Sequence, residues 1–242
     1  MSTIGFGYGS EWHLLRYLGY HRGDLDRAIR SVIPGGTVVE WLNSRFETDP
    51  AVIDRDPPRF LDREIEGFEF LPATQRHQLL SAWPRTGSLP CWDAVARINV
   101  KGEACWLIVE AKSHLGELRS TCKAKGKESG GGRDQILATF ERVQADLGIT
   151  VGAEAWMTPY YQFSNRITFL HLLNRVQIPT RLLFLHFVGD RFPSARAAAC
   201  PGTADGWLTA LDAMDRHTGW SATHSLASHV HRLFLPVTFA ST

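Results

Sequence analysis

No two cysteines of this chain stand in CxxC spacing. The four present, Cys91, Cys105, Cys122 and Cys200, offer neither a zinc-type ligand set nor the density of a disulfide scaffold. Two of them lie in apolar, strand-like runs where a thiol packs as a small hydrophobe, which suits a reducing compartment. Equally missing is a run of the ~18 apolar residues that a membrane span needs. The opening stretch "MSTIGFGYGSEWHLLRYLGYHRG" lacks a signal peptide's basic start and long apolar centre, so a cytoplasmic location without membrane contact is the expectation. Charge of one sign is lacking too. With 26 Lys and Arg against 25 Asp and Glu the balance is +1, so no global field draws in nucleic acid and any basic footprint is local.

What is present is a globular composition: 242 residues, 44% hydrophobic, are enough for one core, and no internal repeat divides it. A single domain over 1–242 falls into three parts. Up to about residue 72, short helical patterns ("SEWHLLRYLG", "GTVVEWLNSRF") alternate with a proline-bearing loop, "ETDPAVIDRDPPRF". From about 73 to 190 the periodicities are strongest. "CWDAVARINV" alternates at period two, "KG" reads as a turn, and "EACWLIVEAK" is the return strand. Two amphipathic helices follow. The first spaces Ile136, Phe140, Val143 and Leu147 helically and stops at Gly148, and the second covers "YYQFSNRITFLHLLNRV". "RLLFLHFVGD" then reads as a strand covered on both faces. From about 191 to 242 a helix, "DGWLTALDAMDRHTG", and an apolar strand, "VHRLFLPVTF", complete the chain.

The hairpin carries the chemistry. A two-residue turn at Lys101 and Gly102 sets Asp93 opposite Glu110, and Lys112 shares their face. A three-residue loop would instead put Val109 beside Asp93. Two carboxylates roughly 5 Å apart repel by about 3 kcal/mol at an effective dielectric of about 20, which calls for a cation. On this view Glu110→Gln relieves a repulsion. Mg²⁺, with Mn²⁺ as a substitute, is the natural cation, since it takes one or two protein carboxylates and leaves room for water and phosphate. A neighbouring lysine suits the orientation of an attacking water. The bland alternative is a structural ion cluster on a half-exposed sheet face.

"CWDAV" followed by Glu110-Ala111-Lys112 at the end of an apolar strand resembles the PD-(D/E)xK nuclease superfamily. "WDAV", "VEAKSHLGEL" and "PYYQFSNRITFLHLL" are similar to an uncharacterised bacterial branch of it, and the likeness covers most of the chain. Pro90 stands three residues before Asp93 rather than next to it. The resemblance implies an α/β fold of restriction-endonuclease type, a central mixed sheet flanked by helices. It also implies a Mg²⁺-dependent nuclease acting on DNA rather than RNA. Asp93 and Glu110 would bind the metal and Lys112 would be catalytic. For the further acid that relatives often carry, Glu40 in "VVEWL" is the candidate and Glu64 its rival. Gln135 matches a position where relatives place a polar residue.

The basic loop "RSTCKAKGKESGGGRDQ", with Lys123, Lys125, Lys127 and Arg133, is either a phosphate clamp or a solvated connection. His114 is either a substrate contact or a strand cap. His229 and His231 in "HVH" share a strand face but want a third ligand. Two other functions stay open: a catalytically silent binding module that keeps the fold, and a hydrolase of a small phosphorylated molecule. The oligomeric state is equally open, a homodimer included.

Overall fold

The structure, a computed structural model, describes residues 7–42, 64–80, 83–84, 89–126, 131–191 and 200–237. From the amino end, helices α1 (Ser10–Tyr20) and α2 (Arg22–Val32) precede strand β1 (Gly36–Trp41). A short strand β2 (Ile65–Glu66) and helix α3 (Ala73–Leu80) lead to β3 (Cys91–Trp92), β4 (Ala94–Val100) and β5 (Glu103–Lys112). Helices α4 (Arg133–Leu147), α5 (Glu154–Met157) and α6 (Tyr161–Arg175) cross to β6 (Thr180–Val188), and α7 (Asp205–Thr218) crosses to β7 (Val230–Pro236). Five strands form one mixed sheet in the order β1-β4-β5-β6-β7. The first three are antiparallel and the last two join in parallel, while β2 and β3 pair separately.

The sheet's register is set by its tightest turn. Lys101 (φ 53°) and Gly102 (φ 92°) both take the left-handed backbone that matches the twist of flanking strands, and the Asn99 side chain accepts from the Gly102 amide at 2.7 Å. Val100 therefore stands opposite Glu103 and Ala94 opposite Val109, the register that the two-residue turn predicts. Alternation then sorts the side chains. Ala94, Ala96, Ile98, Leu107 and Val109 face α1 and α2, packing on Leu14, Leu18, Leu25 and Ile29. Val95, Ile108, Leu182 and Phe184 face the larger helical layer, which supplies Phe140, Ile167, Phe169 and Trp207. The molecule is thus an α/β protein with a central mixed sheet flanked by helices. Among the described residues no helix is long and apolar enough to cross a membrane.

Three local readings are corrected. Residues 36–41, expected to be helical, form an edge strand antiparallel to β4. Thr37, Val38 and Val39 are β-branched and stiff in a helix, and the open edge of β4 offers the backbone partners a strand needs. Helix α2, absent from the expectation, docks its apolar stripe of Leu25 and Ile29 on the sheet. The strand expected over "CWDAVARINV" breaks at Asp93: its amide donates to the Val109 carbonyl at 3.1 Å although Val109 already faces Ala94, so the strand bulges there. Beyond the bulge, Trp92 turns into the larger core and its indole donates to the Gly67 carbonyl at 2.7 Å.

At the carboxyl ends of β5 and β6, the end of the sheet that also carries the bulge, the first turn of α1 is held by two carboxylates. Asp190 accepts from the Gly9 amide and from His13 Nε2, both at 2.9 Å, while Glu117 accepts from Ser10 Oγ at 3.2 Å. Burial alone would raise the Asp190 carboxyl, but His13 and the Gly9 amide outweigh it and hold it at about 2.

Candidate functional site

The bulge at Asp93 and the end of β5 meet on the sheet face covered by α6. Asp93 leaves the regular ladder, and its Oδ2 takes over as acceptor for the Ala111 amide at 2.5 Å. Glu110 and Lys112 share a face of β5 by period-two alternation, and Lys112 Nζ donates to Glu110 Oε1. Glu110 is 1% exposed. The three residues singled out from the hairpin are therefore brought together.

The cation that completes the cluster is Arg166, in the middle of α6. Its Nε and Nη2 both lie 2.6 Å from Glu110 Oε2, Nη2 also donates to the Cys91 carbonyl at 2.6 Å, and Nη1 reaches Asn165 Oδ1 at 2.8 Å. The guanidinium carbon lies 4.8 Å from the centre of the Trp92 ring, within cation–π range. The expectation that the two carboxylates wait on a metal is corrected for Glu110, which is compensated by the protein itself. A signal for Arg166 was present in the sequence: it follows Phe163 by three residues and precedes Leu170 by four, inside the buried stripe of its helix, where a lone arginine demands an anion.

The two carboxyls respond in opposite directions. Burial would raise Glu110, but Arg166 and Lys112 outweigh it and hold the group below its usual value. Burial and the nearby Glu110 charge push Asp93 well above the ordinary range; Lys112 and the Ala111 amide pull it down without prevailing, and Glu64 adds to the rise. Burial would lower Lys112, yet Glu110, Asp93 and Glu117 hold it above its usual value. The shortage of positive charge is thus local to Asp93.

The other candidates scatter. Glu40 is exposed on β1 opposite Arg97, four residues along β4 from Asp93, or about 13 Å at strand rise, so it does not join the cluster. Glu64, exposed, is the further acid that acts on Asp93, and burial, followed by Glu64, pushes the Cys91 thiol up to about 12. His114 caps the short turn Leu115–Leu118 together with Glu117, whose Oε2 accepts the Ser113 and His114 amides at 2.5 and 3.1 Å. Lys123 and Lys125 are exposed, Gln135 is exposed in the first turn of α4, and Lys127 lies outside the described residues. Arg133 is engaged by Glu154 at 2.6 Å. His229 ends the short 3-10 turn Ala227–His229 before β7 rather than sharing a strand face with His231, and Arg181 Nη1 lies 3.4 Å from His231 Nε2, which leaves "HVH" without the geometry of a chelate.

Among the described residues no group of three or more His, Cys, Asp or Glu gathers as a metal site. Asp93 and Glu110 remain a pair, which is enough for Mg²⁺, since that ion keeps most of its positions for water and phosphate. Asp93 Oδ1 has no hydrogen-bond partner among the described residues, and Lys112 offsets the rise of the carboxyl only in part. Of the four carboxylate oxygens, Asp93 Oδ1 is the one left open to a hard divalent ion, which keeps most of its positions for water and phosphate; both Glu110 oxygens already face cations. Comparison with protein-family models, with curated proteins and with solved structures finds no match.

If Lys123 and Lys125 contact phosphate, their replacement by Gln weakens DNA binding at low salt. It also flattens the log–log salt dependence by about 0.9 per lysine, read from fluorescence anisotropy titrations over a salt series. An unchanged slope makes the segment a solvated connection.

Proposed function

We propose that the protein is a metal-dependent nuclease that hydrolyses phosphodiester bonds in DNA, in the manner of the restriction-endonuclease-like fold its motifs resemble. The observation that carries this reading is the Asp93 carboxyl, half-buried at the bulge with Oδ2 on the Ala111 amide, beside a paired Glu110 and a charged Lys112. Asp93 and Glu110 would hold Mg²⁺, which when bound supplies positive charge to the phosphoryl group and lowers the cost of its attack by water. Lys112, held in place by Glu110, directs its remaining ammonium hydrogens toward a water or a phosphate oxygen. The exposed Lys123 and Lys125 follow β5 in the chain and suit the backbone of a bound strand.

The opposing reading, a silent binding module, draws on the same cluster, because Glu110 is already paired by two cations. A cleavage assay separates them. Supercoiled and linear DNA should be cut with Mg²⁺ or Mn²⁺ and spared in EDTA, and Lys112→Ala should reduce the rate by roughly 10²–10⁴-fold. A protein that binds Mn²⁺ and DNA yet leaves both substrates intact is the silent module. One that cleaves only small phosphate esters belongs to the other class of hydrolase.

A further inference from the structure

Toward the turn of the hairpin, away from the bulge, the sheet carries a cleft of about 420 Å³ whose lining includes Val39, Gln75, Arg97, Trp106, Gln177 and Pro179. That size is usual for a ligand site. Arg97 and Trp106 are direct partners across β4 and β5, and the guanidinium carbon lies 5.2 Å from the centre of the indole ring, within cation–π range. The indole is half-buried and braced by the Phe70 ring, whose centre is 5.1 Å away at an angle of 62°, while Arg97 is exposed. A planar cation is thus laid on a fixed ring, with its outer side left to the cleft it lines.

Val39, on the edge strand, is 68% exposed and gives the cleft an apolar rim. Gln177, just past α6, holds a left-handed backbone (φ 59°) where helices usually end on glycine. Glycine would take that conformation without strain, so what the glutamine adds is its exposed side chain on the cleft. The rim charges decide the ligand. Glu40, also exposed, stands opposite Arg97 across β1 and β4, which leaves a phosphate little net attraction. A flat, uncharged ring with a polar edge gains more, by stacking on the Arg97 plane and meeting the amides of Gln75 and Gln177. We propose that the cleft binds one nucleobase of the DNA substrate, stacked on the Arg97–Trp106 pair. Trp106 shares a face of β5 with Glu110, four residues or about 13 Å away at strand rise. That is about four nucleotides of a stacked strand at 3.4 Å each. The occupant rests on the nucleic-acid reading above, but neither a metal nor cleavage is needed for it to bind.

Fluorescence anisotropy in EDTA tests this on the whole chain, with a short single-stranded oligodeoxynucleotide and an abasic chain of equal length. Wild type should hold the natural strand roughly tenfold more tightly than the abasic one. Arg97→Lys keeps the charge but not the plane, so it should lose that preference while abasic binding stays unchanged. Gln177→Gly should weaken the preference without lowering the melting temperature, since it relieves a left-handed backbone. Both side chains are exposed, and melting curves check that each variant folds. Equal binding of the two strands by wild type would overturn the proposal and leave a phosphate-binding nuclease standing. No binding of either strand would overturn it together with the nucleic-acid reading. A preference that Arg97→Lys retains would put the base elsewhere and refute the cleft. Deoxyadenosine monophosphate binding as tightly as the strand would make the cleft a free-nucleotide site instead. A dimer in sedimentation velocity that Val39→Asp dissociates, with DNA binding untouched, would make it a contact between two copies.

Discussion

Glu110→Gln lowers the free energy of unfolding by about 3–5 kcal/mol in metal-free buffer at pH 7, measured by urea denaturation. The sign is opposite to the one the sequence suggests. From the hairpin alone Glu110 is one of two repelling carboxylates, and its neutralisation is a relief. With Arg166 in place it is the anion on which a buried cation and a half-buried one depend. Glutamine keeps one carbonyl acceptor, but its amide must turn donor hydrogens toward either Lys112 or Arg166, leaving a buried charge uncompensated. The pH dependence follows from linkage. Glu110 titrates below its ordinary value in the fold, so its contribution is complete above about 4.3 and fades as pH falls through the lowered folded value. The gap between wild type and variant should be constant near neutrality and shrink in acid. A variant as stable as wild type would mean that the Glu110–Arg166 pair does not hold the structure.

Asp93→Asn behaves differently although it removes the same charge a few ångströms away. The native carboxyl is raised by burial and by Glu110, so its ionised form costs stability once pH exceeds the unfolded value of about 3.9. Asparagine retains an oxygen for the Ala111 amide and avoids that cost. Metal-free Asp93→Asn should therefore be no less stable than wild type within about 0.5 kcal/mol at pH 7. What it loses is the response to metal. Wild type should gain about 2.7 kcal/mol from Mn²⁺ at a hundredfold excess over the dissociation constant, and the variant should gain nothing and cleave nothing. Melting curves with and without Mn²⁺ read both effects. A wild type indifferent to metal would remove the ground for a hydrolytic site.

Much of the sheet was legible because its signals are local. Lys101-Gly102 demands positive φ at both positions, and that fixes the register of every pair from Val100–Glu103 to Ala94–Val109. Helix α4 announced itself through Ile136, Phe140, Val143 and Leu147 and stopped at Gly148, whose φ of 70° is a left-handed cap. Illegible were features decided by partners distant in sequence. Strand β1 takes its conformation from the edge of β4, so "GTVVEWL" read as a helix while its backbone partners lay about 60 residues on. The choice of Glu40 failed with it, since a helix would have presented that acid differently from an edge strand. Arg166 is not legible from the hairpin, because charge balance within a fold is not visible from the spacing of two strands. Glu64, held only as a rival, came to the cluster because β2 pairs with β3 beside the bulge.

The carboxylates that hold the first turn of α1 give the chain an awkward order of assembly. Gly9 and His13 find Asp190 181 and 177 residues later, and Ser10 finds Glu117 107 residues later. On a ribosome adding roughly 5–20 residues per second, the amino-terminal helices wait about 10–35 s for Asp190 to follow His13. Until β4 and β5 have been made Leu14, Leu18, Leu25 and Ile29 have no central sheet to cover, and β6 and β7 follow later still. Such long loops must close before their contacts stabilise anything, which places this chain among slow folders. A pair of apolar helices left uncovered for many seconds is also a surface that a chaperone recognises, so α1 and α2 are where the nascent chain most needs protection.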